Sequence, residues 1–226
     1  MKIIFLGDST MQFNDETTFP QVGWPQALYE KINSDIEIYN FAKNGRSTKT
    51  FIEEGIFDKA LEVIDDTSKV VIEFGHNDSH DYDPKTYTRA DYEYRDNLAY
   101  MINKAREKGA YVILLTPIYR RWFNEDGSIK DGCHQGYREA GLKLAKELGI
   151  DSIDMTSLTK KMLSELGVKD SRELFMNFDK GIYPNYPDGL DDNTHLRLAG
   201  AKKIRDIFLN EVKDNKNFEG YFKWLM

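Results

Sequence analysis

The sequence predicts an α/β protein: a three-layer α/β/α sandwich on a five-stranded parallel sheet of flavodoxin-like topology. Three observations predict it. Short β-rich runs alternate with longer runs of helical period, the pattern of a parallel sheet with helices on both faces. Two of the short runs, VVIEF at 70–74 and YVILLT at 111–116, are almost continuously apolar, as suits strands covered on both sides. Three of the runs end in small, polar, glycine-containing clusters, and ligands bind such sheets outside the carboxyl ends of the strands.

The expected strands are Lys2–Leu6, Ile36–Phe41, Val70–Phe74, Tyr111–Thr116 and Ser152–Asp154. Between them lie helical patterns. Trp24, Leu28 and Ile32 recur at spacings of four. Tyr94, Leu98, Met101, Ile102 and Ala105 form one stripe, with Gly109 as its stop; Tyr137, Gly141, Leu144 and Leu148 form another, closed by Gly149. Leu196, Gly200, Ile204, Ile207, Phe208 and Glu211 define a final amphipathic helix. Right-handed crossovers leave few topologies for this order. The polar segment Asn77–Arg89 reads as a loop, and so does Asp179–Asp192, which holds Gly181, Pro184, Pro187 and Gly189.

A chain of 226 residues fits one domain, 1–226, with a sizeable core. The aromatic tail at 214–226 is expected to pack back on that domain, with a subunit interface as the alternative. Hydrophobic residues make up 40% and charged residues 31%, an ordinary globular balance. A net charge of -7 argues against nucleic acid as a partner. The single cysteine, Cys133, excludes an internal disulfide and a multi-cysteine zinc site. The apolar run Lys2–Leu6 is too short for a secretory leader, and no stretch reaches the length of a membrane span. The chain therefore reads as cytoplasmic with no membrane partner, or as secreted if a leader has been removed.

The first strand runs into Gly7-Asp8-Ser9-Thr10, the second into Asn44-Gly45-Arg46-Ser47, the third into Gly75-His76-Asn77-Asp78. All three clusters belong on one sheet edge. Asp192-Asn193-Thr194-His195 precedes the final helical pattern. Acyl transfer needs this set of groups. A serine hydroxyl needs an adjacent base, the base needs a carboxylate to fix its tautomer, and the developing oxyanion needs donors. Ser9 can be the nucleophile, His195 the base and Asp192 its carboxylate. The backbone N–H groups of Ser9 and Gly45 and the side-chain amide of Asn77 can be the donors.

Each cluster alone has a plainer reading. Asp8 and Ser9 can cap a helix, Gly45 can be a turn residue, and Asn77 and Asp78 can form Asx turns. Asp192 can cap the last helix, with His195 in its first turn. The joint placement favours chemistry, because four coincidences at one sheet edge are improbable.

These clusters, in this order, resemble the four sequence blocks of SGNH (GDSL-type) hydrolases. Gly7-Asp8-Ser9 resembles the nucleophile block, Gly45 the second, Gly75-x-Asn77-Asp78 the third and Asp192-x-x-His195 the last. The resemblance implies the SGNH-hydrolase fold and the nucleophile, oxyanion and Asp-His roles named above. The strings GDST, GRST, GHND and DNTHL, with Gly23-Trp24 and Gln26, look most like rhamnogalacturonan acetylesterases. That implies removal of acetyl groups from a pectin-derived carbohydrate. The nucleophile-elbow motif G-x-S-x-G is absent around Ser9, which argues against the larger α/β-hydrolase fold.

Other groups are candidates for contacting substrate: Asp8, Arg46, His76, Arg120 and Arg121. Paired arginines among aromatics (Tyr119-Arg120-Arg121-Trp122-Phe123) suit a sugar carrying carboxylates, and a solvated arginine pair over buried rings fits equally. His76 and His80 have the spacing of a zinc helix, but residue 77 is Asn where a metalloprotease has Glu, and Pro84 favours a loop. No metal and no cofactor is expected. The reading is a serine carbohydrate esterase whose partner is an acylated oligosaccharide or polysaccharide. The alternatives are a lipid esterase or thioesterase of the same fold, and a noncatalytic flavodoxin-like binding protein.

Overall fold

The computed structural model describes residues 1–223. Five strands, β1 (Lys2–Gly7), β2 (Glu37–Asn40), β3 (Ser68–Glu73), β4 (Tyr111–Leu115) and β5 (Asp151–Ile153), form one sheet. The order is β2-β1-β3-β4-β5, and every pairing is parallel. This is the doubly wound arrangement expected from the sequence.

Alternation along the strands explains both covered faces. Side chains point to opposite sides in turn. Ile3, Phe5, Val71, Ile113 and Leu115 join one buried cluster, and Ile4, Leu6, Val70, Ile72, Val112 and Leu114 join the other. The second face is covered by α1 (Thr48–Glu53), α2 (Ile56–Val63), α3 (Arg95–Glu107) and α4 (Tyr137–Leu148). The first is covered by α5 (Met155–Ser171), α6 (Leu198–Val212) and a 3₁₀ segment, Trp24–Glu30. Pro25 stands in the first turn of that segment, and the spacing that reads as an α-helix is wound as 3₁₀. Trp24 is buried edge-on against Phe5 and beside Phe208. Gly149 closes α4 in the left-handed conformation at φ 63°, as its composition predicts.

One element departs from expectation. The loop read as Asp179–Asp192 stops at Gly189, and Leu190–Leu196 is a strand, β7, antiparallel to β6 (Phe175–Phe178). Within Leu190–Leu196 only the two end residues are apolar, so no alternation announces a strand. Asn177 anchors the hairpin by donating to the Asp192 carbonyl at 2.9 Å and the Asn193 side chain at 3.0 Å. Leu196 accordingly belongs to β7, and α6 begins at Leu198. The helix lies so close to the preceding chain that a Cβ on Gly200 would meet the Leu174 carbonyl oxygen at 2.1 Å.

Of the aromatic tail, Phe218, Tyr221 and Phe222 are buried in the first cluster; residues 224–226 lie outside the described residues. No helix among the described residues is long and apolar enough to cross a membrane.

Candidate active site

The carboxyl ends of β1, β2 and β3 bring Ser9, Gly45 and Asn77 to one edge, and β7 crosses above it to deliver His195. Ser9 sits in the turn that follows β1. There the Asp8 carbonyl accepts from the amides of Met11 and Gln12 at 3.2 and 3.1 Å. Ser9 Oγ lies 2.9 Å from His195 Nε2. His195 Nδ1 lies 2.6 Å from Asp192 Oδ2. The other oxygen of Asp192 accepts from the amides of Thr194 at 2.7 Å and His195 at 3.0 Å. One carboxylate thus shapes its own turn and aims the ring.

Burial alone would raise the Asp192 carboxyl. The hydrogen bond and charge of His195, with the two amides, outweigh burial and hold it below the usual carboxylate range. Asp192 is therefore anionic at neutral pH. An anionic acceptor at Nδ1 fixes the proton there and leaves Nε2 to accept from the serine. The protein thus presents a hydroxyl hydrogen-bonded to an oriented base.

The three expected donors belong to the segments that follow β1, β2 and β3. Neither the Ser9 nor the Gly45 amide N–H donates to another described residue. Gly45 has φ +74° and open space where a Cβ would stand, so the left-handed backbone is what requires glycine there. Asn77 Nδ2 donates to the Arg46 carbonyl at 3.0 Å, which pins its side chain beside Gly45 and leaves its second N–H. The two blocks are tied again below. The buried Asp78 carboxyl accepts from the Thr48 amide at 3.1 Å, from the Thr48 hydroxyl at 2.6 Å and from the Thr88 hydroxyl at 2.8 Å. Burial pushes Asp78 up to about 7.

The remaining candidates divide. Asp8 is fully buried and bonds Thr10, accepting from its amide at 3.0 Å and its hydroxyl at 2.9 Å; a substrate does not reach it. Arg46 is paired with Glu54 at 2.7 Å and donates to the Asn44 carbonyl. Arg121 bonds the Asn193 side chain at 2.8 Å, Ser171 at 3.1 Å and the Val168 carbonyl; it straps the β7 chain to α5. Arg120 differs. It touches His76 and His80, and with Arg121 it lines an open cavity. His76 is buried, and its Nδ1 accepts from Arg120 Nε at 3.4 Å. Burial first, then neighbouring positive charge, hold His76 well below the usual imidazole range.

Two groups escape the sequence reading. Glu73 closes β3 inside an apolar run and is fully buried. It accepts from Trp24 Nε1 at 3.1 Å and lies 3.1 Å from the Thr10 hydroxyl. Burial, reinforced by the Asp8 charge, pushes it up to about 8. The lone charge in VVIEF was the signal available. His134, one of only four histidines, is buried with its ring 4.3 Å from that of His76. The scarcity of histidine was the only hint.

Comparison with known proteins shows which family and which relatives the chain resembles. Residues 5–203 match the model of the GDSL-like Lipase/Acylhydrolase family. The chain is 33% identical over 214 residues to rhamnogalacturonan acetylesterase RhgT of Bacillus subtilis, covering 95% of this chain and 90% of that one. It is 31% identical to the probable rhamnogalacturonan acetylesterase YesY of the same organism, covering 94% and 92%. In three dimensions it is similar to the crystal structure of Bacillus subtilis YxiM, with a TM-score of 0.78 and 25% identity. That match covers 94% of this chain and 56% of that one.

Proposed function

The chain belongs to the GDSL-like lipase/acylhydrolase family, and from that premise we propose that it is a serine acetylesterase acting on acetylated rhamnogalacturonan. That it is a carboxylic ester hydrolase follows from the family and from relatives named as acetylesterases. The substrate proposed for this chain rests on those two relatives, each matched over more than nine-tenths of this chain. The reading takes residues 1–226 as a single catalytic domain.

In the proposed mechanism Ser9 Oγ attacks the acetyl carbonyl while His195 Nε2 takes its proton. The oxyanion forms against the amides of Ser9 and Gly45 and the second N–H of Asn77. The tetrahedral intermediate collapses with proton return from His195 to the leaving sugar hydroxyl, which leaves acetyl-Ser9. Water, deprotonated by His195, attacks this ester, and acetate departs as Ser9 regains its proton. Asp192 stays anionic throughout and offsets the imidazolium charge. The chain of contacts from Ser9 through His195 to Asp192, at 2.9 and 2.6 Å, is the observation that carries the proposal.

The test is acetate release from acetylated rhamnogalacturonan set against acetylated xylan and simple acyl esters of increasing chain length. Release from rhamnogalacturonan at the highest kcat/KM supports the reading. A preference for long acyl chains contradicts it.

A further inference from the structure

Beside the β7 crossing lies a cavity of about 440 Å³, within the size range of small-molecule sites. Asn193 and Thr194, the residues between Asp192 and His195, form part of its wall, so whatever fills it lies beside the segment that carries the base. In a chain of net charge -7, no aspartate or glutamate lines this cavity.

Arg120 and Arg121 both line the cavity; Arg121 is tied to Ser171, Asn193 and the Val168 carbonyl, and Arg120 carries the charge held only by histidine contacts. Among the described residues it makes no ion pair with a carboxylate. It donates instead to His76 Nδ1 and the His76 carbonyl, both at 3.4 Å, and contacts His80 Nε2 at 3.0 Å. These weak neutral contacts hold the planar group without neutralising it. His134 lines the same cavity and is buried; the Ile118 backbone lies beside its ring, and among the described residues neither ring nitrogen makes a well-formed hydrogen bond. A buried polar group without a partner is costly and rare, and a ligand that accepts from it removes the penalty. Burial, with the nearby Arg120 charge, holds His134 at about 3, so the ring is neutral and offers one N–H. Trp122 lines it as well and is 41% exposed, with the Lys130 ammonium over its ring at 4.3 Å.

We propose that Arg120 and His134, with Trp122 nearby, form a subsite for the carboxylate of a uronic acid residue of the acetylated chain. A guanidinium fork and an N–H donor match the two oxygens of a carboxylate, and an exposed indole suits the apolar face of a pyranose ring. This rests on the esterase reading above and assigns to it the feature that separates an acidic from a neutral polysaccharide.

The test uses calorimetric binding of a rhamnogalacturonan oligosaccharide stripped of acetyl groups, compared with the same oligosaccharide after reduction of its carboxyls to hydroxymethyl groups. The native enzyme is expected to bind the carboxylate form at least about tenfold more tightly. Arg120→Gln is expected to reduce that ratio to near one, and His134→Ala to reduce it in part. Equal binding of the two forms by the native enzyme overturns the proposal. So does a folded Arg120→Gln protein that keeps the preference. If Arg120→Gln does not fold, the native comparison with His134→Ala decides. Acetate release from the acetylated oligosaccharide reports on the esterase reading separately, because the binding ratio needs no ester.

Discussion

The Glu73 carboxyl lies 3.1 Å from the Thr10 hydroxyl, beneath the turn that carries the nucleophile. Thr10 Oγ1 is also 2.9 Å from Asp8. One hydroxyl has one proton, so two ionised carboxylates cannot both be satisfied by it. A protonated Glu73 donating to Thr10, which donates to Asp8 Oδ1, resolves the conflict at that hydroxyl, while Asp8 Oδ2 stays buried without a partner among the described residues. Trp24 Nε1 at 3.1 Å completes the setting of Glu73.

This arrangement predicts a pH dependence of stability. Glu73 is raised to about 8 in the folded state and titrates near the ordinary glutamate value of about 4.3 when unfolded. Between these values the folded state holds a proton that the unfolded chain has released. The contribution is therefore full below the unfolded value and is lost as pH rises through 8. Thermal unfolding of the native protein and Glu73→Gln at pH 6 and pH 9 checks this. The substitution is expected to make the fall in Tm between the two conditions smaller. An unchanged fall refutes the assignment.

Asp78 joins the second and third sequence blocks, so its removal should act on both. Asp78→Ala leaves the Thr48 amide, the Thr48 hydroxyl and the Thr88 hydroxyl without their acceptor. The expected loss is on the order of 2–4 kcal/mol, read by urea unfolding. Asp78→Asn, which keeps an acceptor oxygen, should lose less.

Asn77→Ala separates oxyanion stabilisation from binding. Its amide has one bond to the Arg46 carbonyl and one N–H for the reaction. A donor used only in the transition state should affect kcat and leave KM nearly unchanged. Steady-state kinetics are expected to show kcat lower by about 10²–10³-fold. A loss confined to KM would assign Asn77 to ground-state binding.

The tail is predicted to be part of the folded unit. Phe218 is fully buried and packs edge-on against Tyr111 and Phe208. Phe218→Ala should destabilise the chain by about 3–5 kcal/mol, measured by denaturant unfolding. A change under about 1 kcal/mol would mean the tail folds independently of the core.

Much of this was legible in the sequence, for physical reasons. The strands β1, β3 and β4 are buried on both faces, so their apolar runs stand out and the clusters after them can be placed on one edge. The β6–β7 hairpin was not legible. Asp192, Asn193, Thr194 and His195 are selected for turn shape and chemistry, and they erase the alternation that marks a strand. Glu73 was hidden by its neighbours, since VVIEF reads as core and nothing local reveals the Trp24 indole that meets the carboxyl. The partners of Arg46 and Arg121, Glu54 and the Asn193–Ser171 pair, could not be read locally, because they are fixed only by folding. Charge type is local information; charge pairing is not.

The central claim is that Ser9 and His195, 186 positions apart and 2.9 Å apart in space, act as one nucleophilic unit. The most direct measurement is covalent labelling with a fluorophosphonate, located by peptide mass spectrometry alongside acetate release. The account predicts a single label on Ser9, slowed in His195→Ala, and kcat lower by about 10⁴-fold or more in Ser9→Ala. A label on another residue, or near-normal acetate release by Ser9→Ala, would contradict it.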